Sequence, residues 1–579
     1  MNVHPRVAAG PATGPVRRRN LLLVVLPYLV EKQADTKKKA ARSFLAFPYG
    51  VLTIASYIER ETAGRHGVHI VDLNIPGDKS ELDRVTEAIV EHDIDVVGYS
   101  MSYDISFGWL KRLSTEIRRL YPSVIQVAGG PAVTTGYNDI IDEGTPLDAL
   151  CFSEGELGLR QLLDSENINS AFDGAPWVRG AAAAPRKTPH ALYEDLDKVI
   201  PINYDLVDAR AYSMREAFSP FVRFSEGSRQ FFLVTSRGCP FKCNFCAEPS
   251  FHGANMRYAS VDLIVEHVGM LVEKYGLNVL TIYDDQLLMN RDRAKDLFRK
   301  LARFNIRIEM PNGVTLSYID EELANLMRRA GVDTIFLAIE SGSKRVLKEI
   351  IVKPISFARI KPTVELLRTT GIFTTAFFVL GLPGETDEER EETRQFILDT
   401  GFDWAFFNYA TPLRGSRLFE QCKRNGWLAP EHQRIGSVDM TDYVINCPGI
   451  DKERLKRFVF DLNLEANFVR NRNMRDGNVA LAASAFREVL NRLDGQPFAH
   501  YFLARAYQAL NESPERIAHH ASRFVAIVES DLEWMGHAAR WQLDIRSMRA
   551  LQALDRSARH VHAHRREHGE QRQDAAVGV

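Results

Sequence analysis

The stretch RGCPFKCNFCAEP, residues 237–249, decides how this chain folds and acts, because it holds three cysteines within eight positions: Cys239, Cys243 and Cys246. Thiolates at this spacing can wrap one face of a cuboidal [4Fe–4S] cluster and ligate three of its four irons, which leaves the fourth iron open. Structural zinc instead needs a closed set of four ligands, usually as two separated pairs. The other three cysteines are scattered singly along the chain. The spacing therefore favours an iron–sulfur cluster over zinc.

The bulk composition narrows the class of protein. A chain of 579 residues is too long for one hydrophobic core, so we expect two to four domains. The 73 basic residues nearly balance the 75 acidic ones, which predicts no binding of nucleic acid. The apolar run at residues 21–30 is about half as long as a membrane span, so we expect a buried strand there and no membrane span. Six cysteines among 579 residues indicate a reducing cytoplasm.

Two alternating series of strands and helices divide the chain. Residues 19–165 show apolar strands separated by amphipathic helices, which predicts an α/β, doubly wound (Rossmann-like) domain with a parallel sheet. Residues 226–430 show six further strand–helix units, which predict a partial (β/α)6 barrel with its chemistry at the carboxyl ends of the strands. Residues 166–225 between them are predicted to be a linker, and residues 1–18 a disordered tail.

The C-terminal part of the sequence is helical. Residues 431–545 resemble tetratricopeptide (TPR) helices, but only about one and a half repeats are visible, whereas such arrays need roughly three. We therefore expect an α-helical extension that docks on the barrel. Residues 546–579 are predicted to be a polar tail.

The cysteine pattern CxxxCxxC, with Phe245 before the last cysteine and in the loop after a barrel's first strand, resembles the radical S-adenosylmethionine (SAM) superfamily. The resemblance covers residues 230–430. It implies that Cys239, Cys243 and Cys246 are the metal-ligating and catalytic residues, and that SAM occupies the open iron through its amino and carboxylate groups. One electron from the cluster would then cleave SAM to a 5′-deoxyadenosyl radical.

Three later strand ends carry segments to which the resemblance assigns SAM binding: YDD at 283–285, IESGS at 339–343 and GLPGE at 381–385. Acidic and hydroxyl groups pair with an ammonium group or a ribose, and glycines allow a close approach of the backbone. The implied SAM-binding residues are Phe245, Asp284, Asp285, Glu340, Ser341, Gly342, Gly381, Pro383 and Gly384.

The first domain resembles the cobalamin (B12)-binding domain that precedes the barrel in one large branch of this superfamily. Doubly wound sheets bind ligands at the carboxyl ends of their strands, and the dinucleotide fingerprint GxGxxG is absent after the first strand. The implied cobalamin contacts are Gly50, Ser100, Ser102, Gly129, Gly130, Pro131, Glu154, Gly155 and Glu156. The motif DxHxxG, whose histidine would ligate cobalt, is missing, since residues 27–50 contain no histidine. The lower ligand of cobalt is therefore left open.

The resemblance implies a cobalamin-dependent radical SAM enzyme, a C-methyltransferase that acts on an unactivated carbon through the 5′-deoxyadenosyl radical and methylcobalamin. A cyclase or rearrangement enzyme with the same cofactors is an alternative. A metal-stabilised scaffold whose TPR-like end binds a partner is a second one, of another class. The expected partners are a small-molecule or peptide substrate and an electron donor such as flavodoxin or ferredoxin. The sequence names no substrate and no oligomeric state.

Overall fold

A computed structural model describes residues 17–28, 45–179, 192–193, 195–212, 218–221, 228–437 and 442–552. Most of the two predicted tails, at 1–18 and 546–579, and part of the predicted linker at 166–225 lie outside the described residues. Among the helices of these ranges, none is both long and apolar enough to cross a membrane.

The first domain is a sheet with helices on both faces. Its strands are β1 (Asn20–Val25), β2 (Gly67–Asp72), β3 (Val96–Ser100), β4 (Ile125–Gly129), β5 (Ala149–Cys151) and β6 (Trp177–Val178). They lie in the order β2-β1-β3-β4-β5-β6, and every neighbouring pair is parallel except β5 and β6. The helices are α1 (Tyr49–Glu61), α2 (Glu81–Glu91), α3 (Phe107–Leu120), α4 (Pro131–Asp142), α5 (Glu156–Asp164) and α6 (Ile168–Ala171).

Alternation along β1 explains why both faces are covered. Leu21 and Leu23 pack against α1 and α5, whereas Leu22 and Val24 pack against α2, α3 and α4. Successive side chains of a strand point to opposite faces, so an uninterrupted apolar strand needs helices on both sides. The predicted doubly wound domain is confirmed. Its sheet continues past the expected boundary at 165, because Val178 of β6 pairs with Leu150 of β5.

The second domain is the expected partial barrel. Its strands are β7 (Gln230–Leu233), β8 (Ser236–Arg237), β9 (Arg257–Tyr258), β10 (Val279–Ile282), β11 (Arg307–Glu309), β12 (Thr334–Glu340), β13 (Phe373–Leu380) and β14 (Trp404–Tyr409). Two parallel sheets, β7-β10-β11 and β12-β13-β14, are joined by a parallel bridge between Val314 and Leu337. The helices are α7 (Val261–Tyr275), α8 (Arg291–Leu301), α9 (Glu321–Ala330), α10 (Phe357–Thr369), α11 (Asp387–Thr400) and α12 (Arg417–Arg424). Six parallel strands therefore place their carboxyl ends on one rim.

The C-terminal helices form an extension that packs on the barrel, as predicted. They are α13 (Lys452–Leu464), α14 (Arg472–Arg475), α15 (Val479–Arg492), α16 (Pro497–Ala509), α17 (Pro514–Ser530), α18 (Leu532–Arg540) and α19 (Ile545–Gln552). The Phe468 ring meets the Trp404 ring of β14 with centroids 5.6 Å apart. Phe336 and Phe373 of the barrel belong to the same buried core as these helices. The last helix runs into the segment that was predicted to be a tail.

Candidate cofactor sites

The loop that carries the three cysteines starts from a short antiparallel pair, β8 with β9, in which Arg237 lies opposite Arg257. Gly238 follows with a φ of 100°. A Cβ at this position would lie 2.2 Å from the carbonyl oxygen of Asn255, so only glycine fits. The backbone N–H of Cys239 then donates to the carbonyl of Gly253 at 3.1 Å. The start of the loop is therefore fixed by its own returning strand.

Two distant segments hold the middle of the loop. The N–H of Asn244 donates to the carbonyl of Ile351 at 3.0 Å, and its carbonyl accepts from the N–H of Leu418 at 2.8 Å. Ile351 ends a π-helical turn, Val346–Ile351, and Leu418 lies in the first turn of α12. The loop is thus clamped between the fourth and sixth strand–helix units.

The three thiols lie close enough to influence one another. Burial raises the pKa of Cys239 to about 11 and that of Cys246 to about 12, and the neighbouring thiols add to both shifts. Cys239 is buried, whereas Cys243 and Cys246 are partly exposed. Three neighbouring thiols do not readily ionise together, because their negative charges would repel one another. Iron ions supply the positive charge that stabilises the thiolates. The donor set fits the [4Fe–4S] cluster that the sequence predicts.

Asp284, a predicted SAM contact, lies at the end of β10 and is bonded to the segment before the cysteine loop. Its carboxylate is buried and accepts from the N–H of Thr235 at 2.5 Å, from the Thr235 hydroxyl at 2.6 Å and from the Ser236 hydroxyl at 2.6 Å. Both oxygens are therefore engaged within the protein. The carboxylate thus ties the end of β10 to the segment that precedes the cysteine loop, and its predicted contact with SAM stays a prediction.

Asp285 belongs to a cluster with Glu248 and His252, two residues that the sequence analysis missed. His252 Nδ1 lies 2.6 Å from Glu248 Oε1 and 3.7 Å from Asp285 Oδ2. Burial lowers the pKa of His252, but the two carboxylates outweigh burial and raise it above its usual range. Burial also raises the pKa of Asp285. The sequence did contain a signal for this cluster: Glu248 and His252 lie four residues apart just after the cysteines.

Glu340 ends β12 at an irregular position. Its φ is 73°, and the pairing with β13 shifts register between Ala338 and Glu340. The ammonium group of Lys353 donates to Glu340 Oε1 at 2.8 Å. Burial raises the pKa of the Cys243 thiol, and the Lys353 charge acts in the opposite direction. A buried acid–base pair therefore lies next to the cysteines, and the sequence analysis missed its lysine.

Ser341 and Gly342 fasten the segment IESGS to α11. The hydroxyl of Ser341 accepts from the N–H of Ser343 at 3.1 Å, and the N–H of Gly342 donates to the Thr393 hydroxyl at 3.0 Å. A Cβ at Gly342 would lie 2.6 Å from the Cα of Thr393, so the close packing requires glycine. These two residues therefore fix the backbone next to Glu340.

The GLPGE turn follows β13 on the same rim. Gly381 and Gly384 have φ values of 84° and 90°, with Pro383 between them. The N–H of Gly381 donates to Glu385 Oε2 at 2.7 Å, and its carbonyl accepts from the Tyr443 hydroxyl at 2.8 Å. Burial raises the pKa of Glu385 to about 7. Glu385 Oε1 is buried without a partner among the described residues, so this turn has spare hydrogen-bonding capacity, which suits a polar ligand such as SAM.

The strand ends therefore bring the predicted SAM segments to one rim. The cysteine loop follows β8, YDD follows β10, IESGS ends β12 and GLPGE follows β13. Phe245, between the second and third cysteines, packs against the buried core of the barrel.

A cavity of 380 Å³ lies at the carboxyl edge of the first sheet. All the predicted cobalamin residues line it: Gly50, Ser100, Ser102, Gly129, Gly130, Pro131, Glu154, Gly155 and Glu156. Its floor runs along the sheet face past Leu23, Gly98 and Val127. On the other side the barrel contributes Val234, Arg237, Phe251 and His252. An apolar slot with a polar rim suits a large cofactor of cobalamin's character.

Glu154 and Glu156 line this cavity, but their carboxylates are paired with the barrel. Arg257 donates to both oxygens of Glu154, at 2.9 and 2.8 Å. Arg237 donates to Glu156 at 2.7 Å. The two residues therefore form part of the cavity wall as ion pairs, and their contact with cobalamin stays a prediction.

Comparison with known proteins identifies both domains that carry these sites. Residues 233–397 match the model of the radical SAM superfamily, and residues 40–163 match that of the B12-binding domain. The chain is 28% identical over 421 residues to cytidylyl-2-hydroxyethylphosphonate methyltransferase of Streptomyces wedmorensis, covering 67% of this chain and 78% of the relative. It is 26% identical over 385 residues to anaerobic magnesium-protoporphyrin IX monomethyl ester cyclase of Rubrivivax gelatinosus, covering 65% and 66%.

A solved structure shares the whole architecture. The cobalamin-dependent S-adenosylmethionine radical enzyme OxsB, with aqua-cobalamin and S-adenosylmethionine bound, is 13% identical with a TM-score of 0.60, covering 93% of this chain and 84% of that one. At this identity the likeness concerns the fold.

Proposed function

We propose that this chain, which combines a B12-binding domain with a radical SAM domain, is a cobalamin-dependent radical SAM methyltransferase that methylates a carbon atom of its substrate. One observation carries the proposal: the cavity at the first sheet is closed by Arg237, Phe251 and His252, which flank the cysteines on the same loop. The two cofactor sites therefore share a wall. When bound, the cluster with SAM supplies a hydrogen-abstracting radical, and cobalamin supplies the methyl group.

The residues of the chain hold these groups in place. Cys239, Cys243 and Cys246 would ligate the cluster, on a loop fixed at Gly238 and Asn244. The Glu340–Lys353 pair offers one negative and one positive group beside the cysteines, which matches the amino and carboxylate groups of SAM. The GLPGE turn offers its backbone and the unpartnered oxygen of Glu385. Holding reactants in a fixed arrangement is the main contribution of such a protein.

The space between the two sites would receive the substrate, a small molecule or a peptide. His252 lines the cavity and lies on the loop of the cysteines, so it would contact a substrate placed there. The cluster would receive its electron from an external donor such as flavodoxin or ferredoxin.

The relatives include a cyclase as well as a methyltransferase, and this favours ring closure as a second candidate function. Methyl transfer uses SAM in two ways, so it yields S-adenosylhomocysteine in addition to 5′-deoxyadenosine. A cyclase yields deoxyadenosine without S-adenosylhomocysteine.

A test without the substrate separates the two. The anaerobically reconstituted protein is loaded with cobalamin, reduced, and given SAM with a labelled methyl group. We expect labelled methylcobalamin and an equal amount of S-adenosylhomocysteine. If deoxyadenosine forms while the label is found only in SAM and in the methionine released by its cleavage, and none in cobalamin, methyl transfer is excluded and the cyclase is favoured. A scaffold would give neither a cluster spectrum nor cleavage of SAM.

A further inference from the structure

Four charged side chains form a buried network across the boundary between the two domains. Glu154 and Glu156 come from the end of the first sheet, and Arg237 and Arg257 come from β8 and β9. The distances are 2.7 Å from Arg237 to Glu156, 3.3 Å from Arg237 to Glu154 and 2.8 Å from Arg257 to Glu154. All four side chains are at most 9% exposed. Buried pairs of this kind have a single favourable geometry, because separating them leaves an uncompensated charge.

On one side the network is the wall of the cavity. Glu154, Glu156 and Arg237 line it, together with Gly155 between the two acids. A Cβ at Gly155 would lie 2.9 Å from Ile54, so the backbone here is pressed against α1. A ligand that fills the cavity therefore contacts the network directly.

On the other side the network is the base of the cysteine loop. Arg237 precedes Cys239 by two residues. Arg257 donates to the carbonyl of His252 at 2.9 Å, and the next carbonyl, that of Gly253, accepts from the N–H of Cys239 at 3.1 Å. The two arginines thus fix both the departing and the returning arm of the loop.

We propose that this network couples the two cofactor sites, so that filling the cavity with cobalamin raises the affinity of the cysteine loop for SAM. The inference rests on the two cofactors of the proposed function but not on methyl transfer. The physical reason is that a ligand in the cavity contacts Glu156 and Arg237, and Arg237 begins the cysteine loop, so a ligand that favours one arrangement of the network also favours one arrangement of the loop. Linkage then requires SAM to raise the affinity for cobalamin by the same factor.

The test measures binding on the full chain with its cluster reconstituted anaerobically. The Kd for SAM is measured by calorimetry with and without hydroxocobalamin, and the Kd for hydroxocobalamin with and without SAM. We expect each ligand to tighten the other by the same factor, about 10-fold. Hydroxocobalamin should also slow hydrogen exchange across residues 238–256.

Glu156→Gln removes the charge that Arg237 pairs with, and we expect the coupling factor to fall to about one. Asp139→Asn is the matched control. Asp139 pairs with Arg414 across the same domain boundary but does not line the cavity, so the coupling should be kept. If Glu156→Gln does not fold, the double variant Arg237→Gln/Glu156→Gln, which removes both charges, takes its place.

The outcomes separate a failure of the coupling from a failure of the proposed function. Equal SAM affinities with and without hydroxocobalamin in the unmodified protein would overturn the coupling, and so would full coupling in folded Glu156→Gln or in the double variant. A protein that binds neither cofactor would instead contradict the proposed function.

Discussion

The ammonium group of Lys353 lies 2.8 Å from Glu340 Oε1, and the two side chains are only 7% and 9% exposed. The charge of Lys353 also acts on the Cys243 thiol, so the pair lies beside the cysteine loop. A buried ion pair next to the site of a charged ligand can affect both the stability of the fold and the affinity for the ligand, and the two effects can be measured separately. It stabilises the fold, and it offers charges to the ligand.

Lys353→Met should lower the free energy of unfolding by about 3–5 kcal/mol, because Glu340 is left buried without its partner. The double variant Lys353→Met/Glu340→Gln should recover most of that stability, which urea denaturation measures. It should still bind SAM about 10–100-fold more weakly, as expected for a lost charge-assisted hydrogen bond. Lys344→Met, at an exposed lysine nearby, should change neither quantity. Unchanged SAM affinity in the double variant would remove the pair from the SAM site.

Cys243→Ala should abolish the cluster and with it the formation of 5′-deoxyadenosine, because two cysteines cannot hold the cluster. Iron content and the absorbance of the anaerobically reconstituted protein measure this. Cys422→Ala is the control, since Cys422 is a buried cysteine in α12 outside the loop. Retention of deoxyadenosine formation by Cys243→Ala would refute the assignment of the cluster.

Gly238→Ala should prevent cluster incorporation, since the new Cβ would lie 2.2 Å from the carbonyl oxygen of Asn255 and push β9 away. Gly276→Ala provides a comparison at another glycine with a positive φ. Gly276 ends α7 with a φ of 69° and has open space around it, so its replacement should cost only about 1 kcal/mol. The ratio of iron to protein distinguishes the two variants, and equal ratios would contradict the steric argument.

Glu385 should make the fold less stable as pH rises. Burial raises its pKa in the folded protein to about 7, above the usual range of a glutamate. Its contribution to stability is therefore full below the unfolded pKa and is lost between about pH 5 and pH 8. The side chain in Glu385→Gln cannot ionise. The free energy of unfolding of this variant should therefore rise relative to that of the unmodified protein over this pH range, by up to about 3 kcal/mol. Anaerobic denaturation at several pH values measures the difference between the two proteins. A difference that stays constant with pH would show that Glu385 does not titrate there.

The features that were predictable from sequence are those written in short consecutive motifs. CxxxCxxC requires only local spacing, and the segments at Glu340 and Gly381 follow apolar strands whose parallel arrangement places them on one rim. The doubly wound sheet was likewise visible in the uninterrupted apolar strands, and its strand ends gave the lining of the cavity.

The parts that escaped prediction depend on contacts between distant residues. Lys353 reaches Glu340 only because a π-helical turn and a left-handed Val352, with a φ of 64°, carry the chain back to the strand end. Tyr443 meets Gly381 across 62 positions of sequence. The hydroxyl partners of Asp284, Thr235 and Ser236, lie almost 50 positions earlier in the sequence. No local pattern contains such information.

The clamp on Asn244 has a consequence for biosynthesis. Its backbone partners, Ile351 and Leu418, are made long after the cysteines have left the ribosome. The cysteine loop reaches its final shape only once the sixth strand–helix unit has been synthesised and packed. A cluster that needs this loop shape is therefore inserted into an almost complete barrel rather than into the emerging chain.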